Sequence, residues 1–276
     1  MDAPLPLSPD ARTTAGVLLL AIVAVEYGGW FVLRIVRGRE PKTPFQQAFA
    51  RAGHAHAGVL VSLALVAQIL ADATSLRGLP AALARNGVPW AAILMPAGFF
   101  LSSAGRGRTA PNRLIGLLYA GMAALAAGVV ALGAGLLTAV ATEGFGLLAD
   151  ELGAAWRRTG SFLEVGVAYV GFAVRRRPYF EVMFRPDLYH RDDPALAAAR
   201  QRARGLLAGP VAALRPAGSD EDRLRAGVAA WALGHGLATL FLDGNLPAAL
   251  GDDPERIARS VAAYLFGDGR GAGAPV

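Results

Sequence analysis

The chain has no cysteine among its 276 residues. This excludes a disulfide framework, thiol chemistry and any thiolate-based zinc site, and it leaves the compartment open. Charge is scarce: Asp, Glu, Lys and Arg make up 17% of the chain against 54% hydrophobic residues, a balance shifted away from that of soluble domains. No segment alternates apolar and polar residues with a period of two, so no stretch reads as a half-buried strand and the chain is expected to be all-α. There is no phosphate loop with Gly-Lys-Ser or Gly-Lys-Thr at its end, no nucleophile–base pair and no pair of carboxylates on one helix face. The sequence therefore predicts neither an enzyme nor a resident cofactor or metal.

Long uncharged runs are what the chain does have. The central one is RLIGLLYAGMAALAAGVVALGAGLLTAVATEGFGLLADELGAAW, residues 113–156. Residues 114–141 carry no charge and exceed the roughly 20 apolar residues needed to cross a bilayer. Charges then appear at Glu143, Asp150, Glu151, Arg157 and Arg158, while Phe145, Leu147, Leu148, Leu152 and Trp156 keep an apolar stripe at helical spacing. No proline intervenes, so a membrane helix is expected to run on into an amphipathic soluble one. The predicted organisation is a four-helix transmembrane domain over 1–136, a helical domain over 137–268 and a tail at 269–276 that is disordered by composition.

Charge is divided along the same line. Residues 1–136 hold 11 Lys and Arg against 5 Asp and Glu, whereas 137–276 hold 16 Arg and 16 acids. The pI near 10.3 thus belongs to loops beside apolar segments, where it sets membrane topology, and no direct nucleic-acid binding is expected.

The predicted spans are 14–36, 55–71, 88–104 and 114–141, with Pro89 and Pro96 inside the third. The first is no signal peptide, because its positive charges follow the apolar run and no small-residue cleavage site appears where one is required. Arg34, Arg37, Arg39, Lys42 and Arg51 mark the first loop as cytoplasmic, as Arg106, Arg108 and Arg113 do the third. A multi-pass plasma-membrane protein with both termini outside follows.

Three polar side chains in this half are chemical candidates. Glu26 falls near the middle of span one, and His54 and His56 lie at the mouth of span two. Two residues apart on a helix, the histidine rings point about 200° away from each other, so both cannot face one metal. Either Glu26 forms a proton- or metal-handling cluster with one histidine, or, the preferred reading, it is protonated and hydrogen-bonded inside the bundle with the histidines at the interface. Ala120, Ala124 and Gly128 form a row of small residues suited to close helix packing. Through FQQAFARAGHAHAGVL this half resembles small four-span membrane proteins of actinobacteria, a resemblance that implies no activity.

After the junction, breakers punctuate helical patterns: Pro178, Arg185-Pro186, Pro194 at a first-turn position, the capping signature Ser219-Asp220-Glu221-Asp222, and Asp253-Pro254-Glu255. Two blocks carry a specific resemblance. The first is Ala168-Tyr169-Val170-Gly171-Phe172-Ala173, followed by Pro178, Phe180, Met183, Phe184 and Arg185-Pro186-Asp187-Leu188-Tyr189. The second is Trp231-Ala232-Leu233-Gly234-His235-Gly236-Leu237-Ala238, with Leu240, Leu242, Asp243 and Gly244 after it. Over about 136–266 the chain resembles the C-terminal ligand-binding and dimerisation domain of TetR-type transcriptional regulators, in the subfamily marked by a Trp-His-Gly signature.

That resemblance implies a small apolar ligand and a homodimer built on the last two helices. A pocket needs an apolar wall with a few polar groups, and Tyr169, Phe172, Phe180, Met183, Phe184, Trp231 and His235 are the expected lining, with simple core filling as the competing reading. Leu233, Leu237, Leu240, Ile257, Val261 and Leu265 are the expected dimer faces. His190 is expected to be solvated, and Arg175-Arg176-Arg177 to offset a helix dipole. The three-helix DNA-binding headpiece that precedes this domain in the family has no counterpart here, where apolar spans stand in its place. The expected protein is a membrane-tethered regulatory domain, in contact with lipid and lacking a helix-turn-helix. The alternative is a four-span protein of proton, metal or transport function with the helical domain as accessory. A domain of cytosolic type placed outside, without its headpiece, also points to a gene-fusion or truncation product.

Overall fold

The computed structural model describes residues 7–214 and 218–266, with the side chains of 207–214, 265 and 266 left aside. Among them every regular element is helical: α1 Pro9–Val36, α2 Pro44–Asp72, α3 Gly78–Ser102, α4 Ile115–Thr159, α5 Phe162–Arg175, α6 Arg177–Met183, α7 Pro194–Leu214, α8 Asp220–Leu242, a 3-10 turn Ala248–Leu250 and α9 Pro254–Phe266. The expected tail at 269–276 lies outside the described residues. The chain divides into two compact units, 1–136 and 137–276, and α4 contributes to both.

The first unit is fastened at its ends by polar groups and closed in its middle by small residues. Ser8 caps α1, and its N–H and hydroxyl both donate to Asp72 at the end of α2, at 2.8 and 2.9 Å. Arg85 of α3 donates to the same carboxylate at 2.5 Å. At the opposite end Thr43 and Gln46 form a capping box on α2, and the Gln46 amide donates to the carbonyls of Ser103 and Gly105, each at 2.8 Å. Between these ends α3 lies close on α4. A Cβ on Gly87 would stand 2.6 Å from both Gly128 Cα and the Ala124 carbonyl, so only glycine fits there. Gly121 is pressed against Met95 in the same way, whereas Ala120 is exposed.

Helices α1, α2 and α4 are long and apolar enough to cross a membrane. The expected third span is not among them: α3 is 25 residues long, but it carries Arg85 and Asn86, and Pro89 and Pro96 lie inside it. Outward faces of this unit are apolar, with Leu20, Val23, Val59 and Val130 largely exposed.

In the second unit α5 is the central element. Its buried residues include Val165, Val167, Tyr169, Val170 and Phe172, which point to more than one side of the helix, so neighbours pack all around it. One core joins Phe145, Leu148 and Leu152 of α4 to Phe172, Phe180, Met183 and Leu196. A second, smaller core joins Val167 and Val170 to Leu237, Ile257 and Ala258. Ion pairs fasten α9 over it: Arg259 pairs with both oxygens of Glu164 at 2.8 and 3.0 Å, and Arg175 bridges Glu151 and Glu255 at 2.7 and 2.6 Å. Arg175-Arg176-Arg177, expected to act on the helix dipole, is thus mainly a set of ion-pair partners, with Arg177 on Glu181.

Candidate aromatic site around His235

Tyr169 is on α5, Phe180 on α6, Phe184 just beyond it, and Trp231 and His235 one turn apart on α8. Proline at the start of α6 turns the chain sharply after α5, which brings Phe180 and Phe184 back over Tyr169. The His235 imidazole then sits among four rings. Centroid distances are 4.5 Å to Phe184, 5.3 Å to Phe180, 5.7 Å to Trp231 and 6.4 Å to Tyr169.

One hydrogen bond orients the ring: the Tyr169 hydroxyl and His235 Nδ1 are 2.9 Å apart. Burial lowers the His235 pKa from its ordinary 6.5, so the neutral imidazole is favoured. Burial also raises Tyr169 well above the ordinary phenol range, opposed in part by a hydrogen bond from Trp231. In the neutral ring, a proton donated by Tyr169 to Nδ1 leaves the ring proton on Nε2.

The expected lining residues therefore divide. Phe172 and Met183 are completely buried in the core with Leu152 and Leu196. Tyr169 and Phe180 are buried and turned to the imidazole. Phe184 and His235 are half-buried, and Trp231, 43% exposed, forms the open edge.

The expected dimer residues also divide. Leu237 and Ile257 are buried within the protomer, because α5 already covers them through Val167 and Val170. Leu233 and Val261 are partly covered, Leu240 is exposed, and the Leu265 side chain lies outside the described residues. The apolar groups left open on these two helices are Leu224, Val228, Trp231 and Leu240 of α8, and Tyr264 of α9, 90% exposed.

Neither reading of Glu26 matches its position. It is exposed on α1, where neither a buried, hydrogen-bonded carboxyl group nor a shared cluster with a histidine is seen among the described residues. His56 holds the Ala52 carbonyl at 2.8 Å and packs on Phe99, while His54 lies against Gly28 and Gly29. No group of three His, Asp or Glu side chains able to hold a metal occurs among the described residues. His190, expected to be solvated, is half-buried, with its N–H donating to Thr138 at 3.0 Å.

Sequence reasoning missed Tyr189 and Arg200. The Tyr189 hydroxyl donates to the Met183 carbonyl at 2.7 Å and accepts from Arg200, whose guanidinium lies over both Phe145 and Tyr189. The signal was present in the RPDLY block, but the arginine is on another helix with no spacing rule to link the two.

Residues 162–265 match the family model described as Tetracyclin repressor-like, C-terminal domain. Comparison of the chain with curated proteins and with solved structures gives no match. The matched segment takes in the whole ring of aromatics around His235, and over these residues the chain carries a domain of TetR C-terminal type.

Proposed function

We propose that this protein is a membrane-tethered regulatory module whose helical domain senses a small apolar molecule at the aromatic box of His235. The single observation behind this reading is the box itself: an imidazole hydrogen-bonded to Tyr169, ringed by aromatics, with Trp231 exposed at its edge. Such a site suits an apolar ligand bearing one hydrogen-bond acceptor, which Nε2–H would meet. The match to a tetracyclin repressor-like C-terminal domain supports a regulatory role over a catalytic one.

In this reading α3, less apolar than α1, α2 and α4 but packed closely on α4, crosses with them as a fourth span, both termini lie outside, and lipid covers the apolar outer faces. Alkaline phosphatase fused after Val276 should be active and a cytoplasmic reporter dark; the reverse pattern would defeat that orientation. The module pairs with a second copy through the open side of α8 and through Tyr264. It makes no direct DNA contact, since the helices before the matched domain are long apolar ones and the remainder is electrically balanced. The alternative of proton or metal handling has less support, with Glu26 exposed and no group of three metal-holding side chains among the described residues.

The test is a thermal melt of the full chain in detergent with a panel of small aromatic and aliphatic ketones. A true ligand stabilises by about 2.7 kcal/mol at a hundredfold excess over its dissociation constant. His235→Phe should keep the fold and lose that stabilisation. If no ketone shifts the melt, or the variant responds as the wild type does, sensing at this site is refuted.

A further inference from the structure

The first unit contains a cavity of about 260 Å³ lined by residues of α1, α2 and α3. Every lining residue but one is apolar, and the exception is His54. On α1 the lining runs from Val17 to Gly28, about 16 Å at 1.5 Å per residue. The cavity is therefore a long apolar groove with a single imidazole at one end.

That end is built for the ring. A Cβ on Gly29 would stand 3.0 Å from His54 Cε1 and 3.2 Å from Nε2, so Gly29 makes a seat that a larger residue would crowd, with Gly28 in ordinary contact beside it. A glycine inside a helix costs about 1 kcal/mol relative to alanine, and seating the ring accounts for Gly29. Yet the seated ring is incomplete: Nδ1 is buried and has no hydrogen-bond partner. A buried polar nitrogen without a partner is unfavourable, and the ring that carries it lines the groove. Gly28 is also the end of the groove nearer the C-terminus of α1, where Arg34 and Arg37 collect and where Arg51 precedes His54 by one turn of α2.

We propose that this groove binds a long-chain carboxylic acid, its hydrocarbon chain along Val17, Ala21 and Val25 and its carboxyl group at His54. The hydrocarbon meets only apolar walls. The carboxyl group supplies the missing partner of Nδ1. This site is independent of the one at His235.

The experiment uses the full chain in phosphatidylcholine nanodiscs and palmitic acid carrying a diazirine at mid-chain. Photolabelling should fall on Ala21, Val25 and Val61 and be displaced by unlabelled palmitate. His54→Ala should weaken labelling about tenfold or more, as loss of a hydrogen bond to a charged group predicts. Ala21→Phe fills the groove without touching the His54 seat and should abolish labelling even if the His54 variant fails to fold. Label spread over the outward residues Leu20, Val23 and Val59, or labelling unchanged in either folded variant, would overturn the proposal. So would equal labelling by the methyl ester of the probe, which keeps the chain and loses the acid.

Discussion

The two units solve one problem, holding long helices together, by opposite means. In the first, side chains are removed where helices meet: Gly87 lies on Gly128 and Gly121 on Met95, and polar ties are kept to the ends at Asp72 and Gln46. In the second, side chains are enlarged where helices meet, with Phe145, Phe172, Phe180 and Phe184 filling the space, and ion pairs run along the outside. The difference follows from the surroundings each surface is suited to. Between helices in hydrocarbon, burying apolar area brings little gain, so close backbone contact has to carry the association. In water, burial of large rings is itself the main driving force.

Removing a ring from the second unit should have the largest effect. Phe172 is completely buried at the centre of its core, and Phe172→Ala should cost about 3–5 kcal/mol. Melts of the full chain in detergent, followed by circular dichroism, should show a transition of the second unit displaced and that of the first unmoved. A shift shared equally by both would break the comparison, since the two units would then unfold as one.

The matching change in the first unit is an addition. Gly87→Val places a branched side chain where a Cβ alone would stand 2.6 Å from Gly128 Cα, and overpacking of this kind costs about 1–3 kcal/mol. Here the transition of the first unit should move. The same substitution at Gly116, where nothing lies within 4 Å, should leave it in place. Equal effects at the two glycines would mean that the close approach of α3 and α4 carries no stability.

Much of this architecture was legible in the sequence because it is written in local signals. The start of α8 is one case: Ser219 and Asp222 form both halves of a capping box, at 3.1 and 3.3 Å. Pro194 and Pro254 begin α7 and α9. The two TetR-like blocks gave the aromatic residues that surround His235. What stayed hidden depends on which face of a helix meets which neighbour. Helix α8 has apolar residues on several sides, and periodicity alone cannot say that Leu237 and Ala238 are covered while Leu224 and Val228 stay open. Glu26 was misplaced for a similar reason. A carboxylate in an apolar run suggests an interior position, but α1 lies at the edge of its bundle and presents most of its surface outward. Ties between distant residues, such as Arg175 to Glu255 and Asp72 to Ser8, leave no pattern in the sequence at all.

Trp231 tests the boundary between core and site. Were it fully buried, its loss would resemble that of Phe172. Because it is 43% exposed, Trp231→Ala should cost only about 1–2 kcal/mol, the share of a ring's burial that it actually makes. The same melts decide this, and a loss as large as that of Phe172→Ala would show that the open edge of the box is closed in solution.

The smallest effect expected is that of pH on the box. His235 is favoured in its neutral form because burial lowers its pKa below the unfolded value near 6.5. Above pH 6.5 both folded and unfolded chains carry the neutral ring and its contribution is fully present. As pH falls below 6.5 the unfolded chain gains the proton first, so stability declines until the folded pKa is passed and then levels off. Half-burial and access to solvent keep this decline shallow. Glu164, held below the ordinary carboxylate range chiefly by its hydrogen bonds from Arg259, loses its contribution only at more acid pH, which leaves the interval from 7 to 5 for the histidine. Melts in that interval should show the second unit losing stability, and His235→Gln, which keeps an acceptor for Tyr169 but cannot titrate, should flatten the dependence. A wild-type melt that rises toward pH 5 would mean that the ring is charged in the folded protein. The aromatic box would then hold a cation, and an anionic ligand would have to replace the neutral one proposed.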